Sequence, residues 1–189
     1  MRKIDALIGD VERPIDYGDV FIREVVRGVE RLTIAVDHEP DRCVQLLSSR
    51  LTGPFQLLYV LHTSRTGAGL GRYESPELSA HEVQAFLNKF GRFLSEDARH
   101  DFWIRSHGDD ATVVLDRHNL IYAYGPVEKF EPALKHVCTR TETSPLIPDQ
   151  HVHHYHPEWD NAERLVLKAF DWLVSPLRES DMQRAESRR

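Results

Sequence analysis

The chain has little cysteine, no long apolar run and no excess of positive charge, and each shortage removes a class of protein. Two cysteines in 189 residues do not make a disulfide framework. Cys43 and Cys138 both fall in segments that read as amphipathic helices, so two reduced core thiols are expected. The longest apolar run, Leu57 to Leu61, is far short of the roughly 18 residues that a membrane-spanning helix requires. Lys and Arg number 24 against 30 Asp and Glu, a net charge of −6 with histidine neutral, which argues against a nucleic-acid binder. At the N-terminus only Ala6-Leu7-Ile8 is apolar before Gly9-Asp10 interrupts it. That is too short for a secretory signal, and the cytoplasm is the expected compartment. Familiar catalytic signatures are missing as well. There is no GxSxG elbow, His81-Glu82 does not continue into HExxH, and the glycine-rich stretch Gly67-Ala-Gly-Leu-Gly71 lacks a Walker lysine.

What is present fits one soluble globular domain. Hydrophobic residues make up 41%, charged residues 29%, and the mean hydropathy is −0.46. The domain is expected over residues 1–175, with 176–189 a flexible tail that lacks apolar periodicity. The count that stands out is eleven histidines, four of them between His151 and His156.

Val20 to Val26 is rich in β-branched residues, and Leu32, Ile34 and Val36 alternate with their neighbours, so a hairpin across Gly28 is expected. Pro40 opens a helix bearing Cys43, Val44, Leu47 and Leu51 on one face. Phe55 to Leu61 reads as a central strand, and Thr63 to Glu77 as a long loop. Ser79 and Glu82 form a capping box, and Val83, Phe86, Leu87, Phe90 and Leu94 follow at helical spacing. Three strands in a meander are expected at 102–106, 112–115 and 120–124. A helix follows Gly125-Pro126 and is either kinked at Pro132 or begins there. Residues 139–157 read as structureless, and a last helix, capped by Asp160 and Glu163, runs to Leu173. Consecutive strands argue for the α+β class: a single mostly antiparallel or mixed sheet of about five to six strands, with helices mainly on one face.

Three constellations carry possible chemistry. The first is His151, His153, His154 and His156 with Glu158. Neutral imidazole is a common metal ligand, and in an extended chain His151 and His153 share one face while His154 and His156 share the other. Zinc, iron or manganese would suit such a set. The spacing of His151, His153 and Glu158 is similar to the first cupin motif but lacks its glycines, and Tyr155 interrupts a histidine-triad pattern. The second is Arg65 and Arg72 in the glycine-containing loop, where backbone N–H groups and guanidinium groups can hold an anion. The third is His100 and Asp101 with Asp116 and His118, histidines beside carboxylates that suit acid–base work.

No complete catalytic set emerges from these residues. The leading expectation is therefore a non-catalytic protein-binding or regulatory domain, immunity- or adaptor-like, occluding a partner that the acidic balance suggests is basic. The alternative is a metal-binding protein or metal-dependent enzyme, hydrolase- or oxygenase-type, using the 151–156 cluster. No membrane association is expected.

Overall fold

The computed structural model describes residues 1–181 and is α+β, with four α-helices and twelve strands among them. In chain order the elements are β1 (Ile4–Ile8), β2 (Val11–Pro14), β3 (Val20–Val26), β4 (Val29–Ala35), α1 (Pro40–Ser48), β5 (Phe55–Leu61) and β6 (Gly71–Glu74). Then follow α2 (Ala80–Glu96), β7 (His100–Ser106), β8 (Ala111–Leu115), β9 (Leu120–Tyr124), α3 (Val127–Leu134), β10 (Thr139–Arg140), β11 (His151–His153), α4 (Asp160–Val166) and β12 (Leu173–Ser175). No described helix is long and apolar enough to cross a membrane.

The main sheet has nine strands in the order β10-β3-β4-β9-β8-β7-β5-β6-β12, and β11-β1-β2 form a separate three-stranded sheet. This corrects the expected single sheet of five to six strands. The central six are those with apolar alternation. The additions are short: β1, β2, β6, β10, β11 and β12 have two to five residues each. A strand that short carries no period to read and exists because a neighbour offers its backbone groups. All pairings are antiparallel except β10 with β3.

The hairpin β3–β4 turns through Arg27 (φ 53°) and Gly28 (φ 81°), the left-handed pair that matches strand twist. Helix α2 starts as expected, with Ser79 and Glu82 bonded reciprocally. Its buried residues Val83, Phe86, Leu87, Phe90, Phe93 and Leu94 meet Leu57, Tyr59, Leu61, Phe102 and Ile104 of the sheet in one apolar core. Cys43 and Cys138 are free and buried.

One helical expectation narrows and another changes. Helix α3 runs through Pro132 without restarting there; eight residues long, it has few internal bonds for a proline to remove. The last helix stops at Val166, and Leu173–Ser175 is instead a strand paired with β6. No side chain caps α4, because Glu163 is drawn inward. It accepts hydrogen bonds from Arg99 at 2.5 Å, from Ser64 at 2.6 Å and from Thr66. Arg99, wholly buried, also forks onto Asp97 at 2.7 and 2.9 Å and reaches Asp160 at 3.2 Å. Burial works against its charge, and the bonds to Asp97 and Glu163 overcome that and hold its pKa above the ordinary value. Of the expected tail, Asp181 is buried against Arg72 at 2.5 Å. Residues 182–189 lie outside the described residues.

Candidate metal centre

The histidine run divides as strand geometry requires. Strand β11 pairs antiparallel with β1, His151 opposite Ala6 and His153 opposite Ile4. Side chains alternate along a strand, so His151 and His153 share one side and His154 the other. Facing the first pair is His118, delivered by the turn between β8 and β9. One ring nitrogen from each of His118, His151 and His153 lies within 4.8 Å of the others. Ring centroids are 5.2 Å apart for 118 and 151, 4.9 Å for 118 and 153, and 5.0 Å for 151 and 153.

Asp116 builds the turn. Its Oδ1 accepts the backbone N–H groups of His118 at 2.8 Å and Leu120 at 2.9 Å, and Asn119 takes the left-handed conformation (φ 62°) that closes it. The other carboxylate oxygen lies 3.1 Å from His118 Nδ1 and orients the ring. On His151, Nδ1 stands 2.7 Å from the Pro148 carbonyl oxygen, which can only accept, so Nδ1 carries a proton and any lone pair the ring offers is on Nε2. His153 Nε2 is buried and has no hydrogen-bond partner among the described residues. Burial, reinforced by His118 and His151, pushes the His153 pKa down to about 3, so this ring is neutral at pH 7. Carboxylate and carbonyl partners behind imidazoles are the outer contacts that metal-ligating histidines normally have. In a tetrahedral zinc site with bonds of about 2.0–2.1 Å, ligand nitrogens lie about 3.3–3.4 Å apart. Nitrogens that lie within 4.8 Å of one another are at that spacing or within a small side-chain rotation of it.

The remaining members of the run do other work. His154 Nε2 is 2.9 Å from Asp5, whose carboxylate also pairs with Arg2 at 2.7 Å. Glu12 completes a second group, Asp5-Glu12-His154, that can hold a metal. There, however, Arg2 already supplies the cation and Glu12 is exposed. His156 Nε2 bonds the Arg2 carbonyl at 2.8 Å, and Glu158 is exposed on the turn before α4.

The other two expected sites come apart. Arg65 pairs with Asp160 at 3.2 Å, while Arg72 is buried on Asp181, so they do not converge on an anion. The hydroxyls of their loop, Ser64 and Thr66, do hold a carboxylate, but it is the chain's own Glu163. His100 is fully buried beside Tyr59 and Phe93, with Tyr59 Oη at 3.3 Å and the Leu94 carbonyl at 3.4 Å. Burial holds its pKa well below the ordinary histidine value. Asp101 accepts from the Arg117 backbone N–H and lies 2.8 Å from His62 Nε2. Thus Asp116 and His118 leave the expected acid–base set and join His151 and His153. Their separation in the sequence hid this; the only signal was a histidine beside a carboxylate in a turn.

Comparison of the chain with protein-family models, with curated proteins and with solved structures finds no match.

Proposed function

We propose that this protein binds a divalent transition metal, zinc in the first instance, through His118, His151 and His153. The observation that carries the reading is the convergence of three imidazoles from two separate segments, with Asp116 and the Pro148 carbonyl behind two of them. Three imidazole ligands favour zinc, copper, nickel or iron over magnesium or calcium, which prefer oxygen ligands. His118, His151 and His153 would hold such an ion, and bound there it would supply Lewis-acid chemistry of the kind used in metal-dependent hydrolysis. The chain's own contribution is to hold His151 in one tautomer, to orient His118 through Asp116 and to keep His153 unprotonated. His118 is buried, and His151 and His153 are each partly buried.

Protein purified without a histidine tag should carry zinc in stoichiometric amount by elemental analysis. His118→Ala and His153→Ala should each lose it, and His156→Ala should keep it. Metal-free protein that takes up no added zinc, copper, nickel or iron would overturn the reading.

A further inference from the structure

Away from the histidine centre, the main sheet presents a face that alternation turns away from the apolar core. Strand register sets Thr33, Tyr122, Val114, Trp103 and Leu58 side by side across it. A second row runs Arg31, Tyr124, Thr112, Arg105 and Gln56. Trp103 lies between two clefts of about 300 and 620 Å³ and lines both. Arg72, Arg105 and Arg178 border the smaller cleft, Arg27 and Arg31 the larger, and Glu74 is the one acidic residue lining either. Arg31 is matched by Glu24 and Arg72 by Asp181. Arg27 and Arg178 form no ion pair among the described residues, and Arg105 has only the exposed Asp110 at 3.7 Å. Within a chain of net charge −6, this face thus holds three arginines that lack a close carboxylate partner among the described residues.

We infer that this face docks an extended acidic segment of a protein partner, its carboxylates on Arg27, Arg105 and Arg178 and an apolar side chain against Leu58 and Trp103. Tryptophan and arginine are the side chains on which binding energy concentrates at protein interfaces. Single-stranded nucleic acid fits less well, because successive bases need free ring faces. Arg31 already covers the Tyr122 ring at 4.6 Å, lies 5.8 Å from the Tyr124 ring and donates to its hydroxyl. From β4 to β6 the face crosses five strand spacings, about 24 Å, which an extended peptide of about seven residues spans.

The test is fluorescence anisotropy on the full chain at low salt. The probe is a short labelled peptide of Asp and Glu with one central Phe; a lysine peptide of equal length and oligothymidine serve as comparators. The acidic peptide should bind saturably and tighter than either comparator, and it should weaken as salt is added. The double variant Arg27→Glu/Arg105→Glu should bind it at least tenfold more weakly while melting like the parent. Equal binding by a folded double variant, tighter binding of either comparator, or no binding of the acidic peptide would each overturn the proposal.

Discussion

Two polar clusters in this fold differ in one respect that decides what each can do. Around Arg99, the carboxylates of Asp97 and Glu163 with part of Asp160 meet a fully buried guanidinium, and the Ser64 and Thr66 hydroxyls take up the remaining capacity of Glu163. Charge and hydrogen bonds close on themselves, so the cluster fastens the loop after β5 and helix α4 to the start of β7. Around His118, three rings converge, His118 held by Asp116 and His151 by the Pro148 carbonyl, while the buried His153 Nε2 has nothing to bond among the described residues. A saturated cluster is structure; one that leaves a buried nitrogen unbonded keeps capacity for a further partner.

The contrast can be broken first at Arg99. Arg99→Met leaves Asp97 and Glu163 buried without their cation and should cost about 3–5 kcal/mol in urea unfolding. A variant as stable as the parent would show that the cluster is not a fastener. Next comes the open cluster, where zinc at a hundredfold its Kd should stabilise the folded chain by about 2.7 kcal/mol. Calorimetry should show this rise in Tm in the parent and none in His153→Ala; a zinc response retained by that variant would move the site elsewhere.

A third measurement sharpens the difference between a buried histidine with partners and one without. His100 is depressed by burial, so below pH 6.5 the unfolded chain takes a proton there that the folded chain refuses. Its contribution to stability is present above pH 6.5 and is lost as the pH falls, at up to about 1.4 kcal/mol per pH unit. His100→Gln should flatten the pH dependence of urea midpoints in that window, and an unchanged slope would remove His100 as its source. The smallest effect is expected at His154. Its contact with Asp5 is partly exposed, so His154→Gln should cost less than about 1 kcal/mol and leave zinc stoichiometry unchanged. Loss of zinc in that variant would instead place the metal at Asp5, Glu12 and His154.

The central architecture was legible because periodicity survives folding. The capping box at Ser79, the apolar face from Val83 to Leu94 and the strand pattern of Phe55 to Leu61 each state locally what the tertiary structure requires. Strand β6 is not legible locally, because Gly71-Arg-Tyr-Glu74 has no repeating pattern; β5 and β12 make it a strand by pairing on either side. Glu163 looked like a cap because it stands three residues after Asp160, yet Arg99 competes for the same carboxylate from inside the protein and wins.

The eleven histidines belong to the same division. Alternation along an extended chain was enough to separate His151 and His153 from His154 and His156, because the two-residue period of a strand is a property of the backbone. That His118 faces the first pair, and that His100 and Asp101 do not, follows from where the β8–β9 turn and strand β1 meet. Such contacts depend on strand order and register, and no local pattern of residues encodes them.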